Sequence, residues 1–307
     1  MRSVRAEVDE ALNKFLSKAT EAPPLAIEAM RYSLFAGGKR LRPILTLAAS
    51  DTVAKISPQE RQRLVYPAAC AIEMIHTYSL VHDDLPSMDN DILRRGQPTA
   101  HIVYGEGLAI LAGDGLLTEA FRILAQWPET DDPKVLQRKL RVIERTAVAS
   151  GVGGMVGGQV IDLQASGQLK DSSGSVMSSD DSFDQEGVKI MHQRKTGALI
   201  RASVVAGALM VGGEIKIDAV DAYGSDVGLA FQIVDDILDI EGASKELGKS
   251  VGKDAAAGKL TYPSMFGIQE SRRMARSAVE RAKASLESAG LGGRLSEIAD
   301  WILARSH

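Results

Sequence analysis

The sequence has very little cysteine and no long apolar segment. Cys70 is the only cysteine, which excludes an intramolecular disulfide and a cysteine-based metal cluster and suits a reducing compartment. No apolar run approaches the roughly 18–20 residues of a membrane span. Residues 1–18 carry charge throughout and lack a signal-peptide core. We therefore expect a cytoplasmic protein without a membrane span, although a targeting segment removed from before Met1 stays open.

A strong charge imbalance is also missing. The 307 residues include 36 Lys+Arg and 40 Asp+Glu, for a net charge of -4. General nucleic-acid binding usually requires a marked basic excess, so we expect no nucleic-acid partner. Hydrophobic residues make up 45% and charged residues 25%, which is typical of globular proteins and enough for a large core. Length alone allows either one or two domains.

Proline and aromatic residues are scarce in a way that favours helices. No proline lies between residues 134 and 262, aromatics are only 5%, and alternating β-type runs are missing. Apolar residues recur three and four positions apart instead, as in Val8, Leu12 and Phe15. We therefore predict an all-α protein of ten or more helices without a domain linker. After two N-terminal helices, the predicted ranges are 40–54, 58–82, 107–126, 134–150, 152–165, 187–210, 216–240, 262–288 and 294–305.

Two aspartate clusters stand at apolar helical segments: HDDLPSMDND at 82–91 and FQIVDDILD at 231–239. On a helix, Asp235 and Asp239 lie on one face, where like charges repel and unpaired burial is costly. No Lys or Arg lies within the second segment, so we infer that a hard divalent cation neutralises it. An acidic helix end facing water is the alternative, stronger for the first cluster than for the second. An EF-hand loop is excluded because the required glycine is missing.

Cationic residues complement these carboxylates. GGKRLRP at 37–43 contains three cations, and Arg94 and Arg95 directly follow the first aspartates. A run of this kind is usually a solvated face. Together with two metal-type clusters, however, it indicates one diphosphate bound through Mg²⁺ and a second bound directly by Arg and Lys.

The motifs and their order resemble those of the trans-type polyprenyl diphosphate synthases, the family that includes farnesyl and geranylgeranyl diphosphate synthases. The matching segments are GGKRLRP at 37–43, HDDLPSMDNDILRRGQPTAH at 82–101, KTGAL at 195–199, FQIVDDILD at 231–239 and LGKSVGKDAAAGKLTYP at 247–263. The resemblance covers nearly the whole chain, residues 1–307. It implies a single-domain, all-α helical bundle of the isoprenoid synthase type, with the two aspartate-rich helix ends facing each other across a central apolar cavity.

The activity implied by the resemblance is head-to-tail condensation of isopentenyl diphosphate with dimethylallyl or geranyl diphosphate. Farnesyl diphosphate is the expected product. Geranylgeranyl diphosphate synthesis is the main alternative, and a non-catalytic regulatory subunit of a heteromeric synthase is a weaker one, because such a subunit should have lost an aspartate motif. A terpene cyclase is disfavoured by GGKRLRP and Arg95, since a cyclase binds no second diphosphate.

The resemblance also implies roles for individual residues. Mg²⁺, three ions per active site with substrate bound, would be held or positioned by Asp83, Asp84, Asp89, Asp235, Asp236 and Asp239. Isopentenyl diphosphate would be bound by Lys39, Arg42, His76 and Arg95. The allylic diphosphate would be contacted by Arg94, Lys195, Thr196, Gln232, Lys249 and Lys259. Lys195, through its carbonyl, Thr196 and Gln232 would stabilise the carbocation, and Gln159 and Asp162 would line the cavity.

Three further expectations concern product length, assembly and a loop. In the family, bulk on the first aspartate helix limits chain length, and Tyr78, with Ser79 next to it, lies about one turn before Asp83. An ordinary core tyrosine is the alternative reading of that position. A homodimer is expected because relatives usually form one. The Ser- and Asp-rich segment 166–186 is predicted to be a flexible loop.

Overall fold

The computed structural model describes residues 2–17, 21–169, 185–245 and 261–305. Within these ranges the chain is almost entirely helical, which confirms the predicted all-α class. The only strands in the described part are two residues each. Lys249, Lys259 and most of the predicted loop at 166–186 lie outside the described residues.

The helices follow the chain in short and long segments. They are α1 (Arg2–Leu16), α2 (Pro24–Leu34), α3 (Leu41–Val53), α4 (Pro58–Leu64), α5 (Tyr66–Asp83), α6 (Ala100–Tyr104), α7 (Glu106–Gln126), α8 (Pro133–Ser150), α9 (Met155–Ala165), α10 (Gln185–His192), α11 (Ala198–Met210), α12 (Ile217–Lys245), α13 (Tyr262–Phe266), α14 (Ile268–Ser288) and α15 (Arg294–Ala304). A π-helical segment covers Gln193–Gly197, and a 3₁₀ turn covers Glu214–Lys216. Strands β1 (Leu93–Arg94) and β2 (Gln97–Pro98) form an antiparallel hairpin.

Three predicted helices are interrupted, each for a local reason. The predicted helix 58–82 divides at Val65, because Pro67 in the first turn of α5 has no N–H to continue an existing helix. The predicted helix 262–288 divides at Gly267, whose φ of 79° is left-handed. The predicted helix 187–210 contains the π turn, which widens the backbone at Lys195 and Thr196.

The chain forms two compact units, and each has its own core. Unit 1 comprises Met1–Thr146 and Ala206–Glu214. Its central element is α5, on which thirteen of eighteen residues are buried. This helix packs against α3 and α7. A helix that is apolar nearly all round must be enclosed by others, so α5 carries the first aspartates on a rigid core element.

Unit 2 comprises Ala147–Val205 and Ile215–His307. Its long helix α12 packs against α14, α15 and the π segment. The buried Tyr223 hydroxyl donates to the Leu295 carbonyl at 2.7 Å and ties α12 to α15. The second aspartates therefore also belong to a core helix. The predicted single domain and central cavity remain predictions.

In the described part of the chain, no single helix is long and apolar enough to cross a membrane. Only the bent pair α4 and α5 reaches the required length and composition together.

Candidate active site

The first aspartate motif forms a compact turn at the end of α5. The Asp89 amide donates to the Asp83 carbonyl at 2.9 Å, and the Asp91 amide donates to the Asp84 carbonyl at 3.1 Å. Asn90, with a φ of 52°, allows the chain to reverse there. These backbone bonds bring Asp83 and Asp89 together although six positions separate them. The two carboxylates, both partly exposed, are thus placed on one turn.

Asp84 differs from Asp83 because it points into the protein. It is 4% exposed, and Arg94 donates to both of its carboxylate oxygens, with Nε at 2.8 and 2.9 Å. Burial raises the pKa of Asp84, while the Arg94 hydrogen bonds act in the opposite direction. Arg94 is held in the β1–β2 hairpin, which reverses at Arg95 and Gly96, both with positive φ. Asp84 thus acts as an internal anchor for the hairpin.

The cation-rich segment before α3 contains one arginine with a structural role. Arg40 is 3% exposed and has a φ of 52°. Its guanidinium donates to Asp9 at 2.8 Å, to Glu73 at 2.9 Å and to the Leu34 carbonyl at 2.7 Å. A guanidinium with three acceptors is fully occupied in holding α1, α2 and α5 together. Of the three cations, Arg40 is therefore the one least suited to a substrate.

Three of the residues predicted to bind isopentenyl diphosphate, two arginines and a histidine, act electrostatically on one another. Burial lowers the pKa of Arg42 to about 10, with Arg95 acting in the same direction. Burial and then the charges of Arg42 and Arg95 hold the pKa of His76 well below its usual value. The Arg95 guanidinium donates to the Gly37 carbonyl, and a Cβ on Gly38 would lie only 2.6 Å from it.

One carboxylate, Glu73, acts on the charges of both Arg42 and Arg95, and it is also paired with Arg40. Arg42 Nε is buried without a hydrogen-bond partner among the described residues. A buried, unsatisfied guanidinium N–H is unfavourable and therefore points to an anionic ligand. We call Arg42, His76 and Arg95 the cation cluster of unit 1. Lys39, the fourth predicted member, is exposed two residues after Gly37.

Tyr78 and its neighbours occupy the turn of α5 below the first motif. Tyr78 is buried, and its ring meets the ring of His82 edge-on at 5.7 Å. The Ser79 hydroxyl donates to the His76 carbonyl. His82 Nε2 lies 3.0 Å from the Ile110 carbonyl of α7, which accounts for this histidine without a chemical role.

The second aspartate motif holds Asp236 internally, much as the first holds Asp84. Asp236 is 4% exposed and accepts from the side-chain amide of Gln232 at 2.7 Å and from the Tyr262 backbone amide at 2.9 Å. His192 Nε2 lies 3.9 Å away, and its ring stacks on Tyr262. Gln232, predicted to face the carbocation, is thus positioned by Asp236.

Asp235 and Asp239 have a different environment from Asp236. The Asp235 carboxylate is partly exposed and pairs with Arg305, which follows α15. A distant arginine therefore supplies part of the positive charge that the segment itself lacks, and the inferred divalent cation stays a prediction. One oxygen of Asp239, Oδ2, is buried without a hydrogen-bond partner in the described part of the chain. Such an oxygen is suited to a metal ion or a metal-bound water.

Lys195 and Thr196 lie on the π segment of unit 2. Lys195 Nζ donates to Asp162 of α9 at 2.5 Å. A Cβ on Gly158 would lie 2.2 Å from the Lys195 amide nitrogen, so α9 can approach the π segment only through a glycine. Gln159 Nε2 is buried without a hydrogen-bond partner among the described residues. A π turn shifts carbonyls out of the α-helical ladder and is common at functional sites.

The aspartates suit Mg²⁺ rather than a fully protein-coordinated metal. Among the described residues, no group of three or more His, Cys, Asp or Glu side chains could hold a metal ion. Mg²⁺ does not need such a group, because it keeps waters and usually binds one or two carboxylates together with substrate phosphates. The all-carboxylate donors and the unpartnered Asp239 oxygen fit that mode of binding.

Comparison with known proteins identifies the family. The polyprenyl synthetase family model matches residues 23–289. The chain is 44% identical over 303 residues to farnesyl diphosphate synthase of Geobacillus stearothermophilus, covering 98% of this chain and 95% of that protein. It is 44% identical over 277 residues to geranylgeranyl diphosphate synthase of Cyanophora paradoxa, covering 90% and 85%. The crystal structure of an FPP/GFPP synthase from Zymomonas mobilis matches with a TM-score of 0.78 at 35% identity, covering 98% of each chain.

The chain therefore belongs to the polyprenyl synthetase family, which confirms the predicted family and its isoprenoid synthase fold. The residues that sequence reasoning missed are Arg305, Tyr262 and His192, all of which contact the second motif. None could be found from spacing, because each is far from the motif along the chain.

Proposed function

We propose that this protein is a head-to-tail prenyltransferase that condenses isopentenyl diphosphate with dimethylallyl or geranyl diphosphate to give farnesyl diphosphate. The observation that carries the proposal is the pairing of two anion-binding chemistries in unit 1. Asp83 and Asp89 offer oxygens suited to Mg²⁺, whereas the cation cluster carries an unsatisfied buried guanidinium N–H. An enzyme with two diphosphate substrates needs both, one for each substrate.

Asp83, Asp89 and Asp235 are the proposed direct Mg²⁺ ligands, and Asp239 acts close to them. Mg²⁺ held by these residues would supply positive charge to the diphosphate that leaves the allylic substrate. Asp84 and Asp236 are positioning carboxylates in this proposal, because Arg94, Gln232 and the Tyr262 amide already occupy them. This assignment separates the two deeply buried carboxylates from the more exposed ones among the six predicted.

The cations divide between the two substrates. Lys39, Arg42, His76 and Arg95 bind the diphosphate of isopentenyl diphosphate, and Arg94 with Lys195 contacts the allylic diphosphate. The lowered pKa of His76 keeps its imidazole neutral near pH 7, so it donates one N–H rather than a charge. Lys249 and Lys259 are proposed for the allylic diphosphate from the sequence resemblance alone.

The reaction breaks the allylic C1–O bond, and its electron pair leaves with the diphosphate. The double bond of isopentenyl diphosphate then forms a bond to C1, and a proton passes to the released diphosphate. Thr196, Gln232 and the Lys195 carbonyl stabilise the positive charge at C1 by preorganised dipoles. The shift of carbonyls in the π turn supports the role of Lys195, and Asp236 keeps the Gln232 amide oriented.

Geranylgeranyl diphosphate is the second candidate product, favoured by the similarity to the Cyanophora paradoxa enzyme. The buried ring of Tyr78, one turn before Asp83, favours the shorter product because it fills space on the helix below the diphosphate. The test is incubation with isopentenyl diphosphate, each allylic diphosphate in turn and Mg²⁺, followed by chromatography of the products. Absence of any condensation product would refute the proposed prenyltransferase activity. A C20 product would show that the protein makes geranylgeranyl diphosphate rather than farnesyl diphosphate.

The proposed assembly is a homodimer located in the cytoplasm. Unit 1 exposes several large aliphatic side chains on α6, α7 and α8. They are Ile102, Val103, Ile110, Leu111, Leu136 and Leu140. A second copy of the chain packed on these helices would remove this apolar area from water. Light scattering after gel filtration should give twice the mass of 32.8 kDa, and Leu111→Glu should shift it toward the monomer.

A further inference from the structure

The C-terminal part of unit 2 places an arginine on the second aspartate motif. Arg305 follows the last residue of α15, and its Nη2 pairs with the Asp235 carboxylate, 70 residues away in sequence. The guanidinium is buried and lies over the Phe231 ring at 4.3 Å, and it lies 5.8 Å from the Trp301 ring. Its position is thus set by α12 and α15 together.

The guanidinium of Arg305 is only partly satisfied in this position. Nε and Nη1 are buried and have no hydrogen-bond partner among the described residues. Burying a guanidinium costs free energy unless all its N–H groups are paired. A leucine or methionine would fill the same space without that cost. Stability of the fold alone therefore does not account for an arginine at this position.

The partner of Arg305 is also a proposed metal ligand. Mg²⁺ at Asp235 would bring a divalent cation to the carboxylate that the guanidinium already contacts. Two cations within a few ångströms repel strongly in a partly buried environment. The Asp235 carboxylate therefore cannot keep its contact with Arg305 and bind Mg²⁺ equally well.

We propose that Arg305 is a positioning residue that competes with Mg²⁺ for Asp235, so that metal binding displaces the guanidinium from this carboxylate. The inference rests on the proposed metal role of Asp235. Before metal binds, Arg305 neutralises Asp235 and holds its side chain in place. When metal binds, Arg305 is released from α12, which couples the end of α15 to metal loading.

The test measures metal binding directly in the full chain without substrate. Mn²⁺ is titrated, and the free ion is followed by electron paramagnetic resonance for wild type, Arg305→Gln and Arg281→Gln. Arg281 is the matched control, because it pairs with Asp226 on the same helix α12 at 2.6 Å but lies on the exposed surface. Arg305→Gln should bind Mn²⁺ at least about threefold more tightly, the size expected when a competing ion pair is removed. Arg281→Gln should bind like wild type.

A second measurement leaves Arg305 in place and does not depend on how well its variants fold. In a Trp127→Phe background, Trp301 is the only tryptophan, and Mg²⁺ should change its emission as the guanidinium leaves. Arg305→Lys should bind Mn²⁺ with an affinity between those of wild type and Arg305→Gln. Unchanged or weaker Mn²⁺ binding by Arg305→Gln, or no Trp301 response, would overturn the competition. Condensation by wild type is assayed separately, so failure of the proposed enzyme activity is distinguished from failure of this inference.

Discussion

Each aspartate motif contains a buried carboxylate that other groups must hydrogen-bond. The partners of the two motifs lie at very different distances along the chain. In the first motif, the buried carboxylate of Asp84 is held by Arg94, ten residues further along the chain. In the second motif, the Tyr262 amide reaches Asp236 from 26 residues away, and Arg305 reaches Asp235 from 70 residues away. Each motif thus combines one deeply buried, hydrogen-bonded aspartate with more exposed ones.

This difference shows that the first motif is a local unit and the second is an assembled one. The first depends on a turn and a two-stranded hairpin within twenty residues, so its geometry can form with little help from distant packing. The second depends on α13, α15 and α10 packing against α12. Damage far along the chain should therefore disturb the second motif more than the first.

The largest expected effect is loss of a direct metal ligand from either motif. Asp83→Ala and Asp235→Ala should each lower kcat/KM by about 10²–10³-fold, because each removes charge stabilisation at the leaving diphosphate. The measurement is product formation from isopentenyl and geranyl diphosphates at saturating Mg²⁺. Asp226→Ala, at a half-buried position of α12 where Asp226 pairs with Arg281, is the control and should retain wild-type turnover. Near-normal turnover of either ligand variant would contradict the metal role of its motif.

The cation cluster of unit 1 provides the next largest effect. Arg42→Met should raise KM for isopentenyl diphosphate about 10- to 100-fold, because it removes charged hydrogen bonds to one substrate. KM for the allylic diphosphate should change little. Arg122→Met, which removes a surface arginine paired with Glu119, should leave both constants unchanged. An equal rise in both KM values would contradict a specific role of Arg42 in binding isopentenyl diphosphate. It would indicate instead that Arg42 also contacts the allylic diphosphate or stabilises the fold.

Two close-approach glycines allow the π segment and the end of α5 to be compared in stability. A Cβ on Gly158 would lie 2.2 Å from the Lys195 backbone nitrogen, whereas a Cβ on Gly113 would lie 2.2 Å from the His82 ring. Overpacking typically lowers the free energy of unfolding by about 1–3 kcal/mol. Because backbone atoms move aside less readily than a side chain, Gly158→Ala should lower it more than Gly113→Ala. Urea unfolding measures both variants. Gly158→Ala should also lower turnover by displacing Lys195. Equal losses of unfolding free energy in the two variants would contradict a rigid π segment.

The smallest expected effect on rate concerns Tyr78. Tyr78→Ala should lengthen the product beyond C15, while total turnover changes by less than about tenfold, because the ring touches no reacting atom. Chromatography of the product alcohols measures the distribution. Tyr104→Ala, which removes a more exposed tyrosine of unit 1, should leave it unchanged. An unaltered distribution for Tyr78→Ala would support an ordinary core tyrosine.

Sequence patterns predicted the helices well where packing and local preference agree. Helix α3 is observed at Leu41–Val53 against a predicted 40–54, and α7 ends at residue 126 in both. The interruptions were missed because apolar periodicity continues through Val65 and resumes after the π segment, whose residues QRKTG include no proline to mark a break. A π turn changes only the hydrogen-bond register, which is decided by neighbours such as Gly158 rather than by composition.

The sequence by itself determined the family and the all-α fold class of this protein. Paired aspartates and clustered arginines in a fixed order predict metal-assisted and direct diphosphate binding, because those side chains have few other uses in apolar helices. Only the tertiary structure decided which of them are available to a ligand. Arg40, Asp84 and Asp236 are held by internal partners, while Arg42 and Asp239 keep buried atoms without partners among the described residues. Burial and distant pairing create this distinction, and neither is encoded in local spacing.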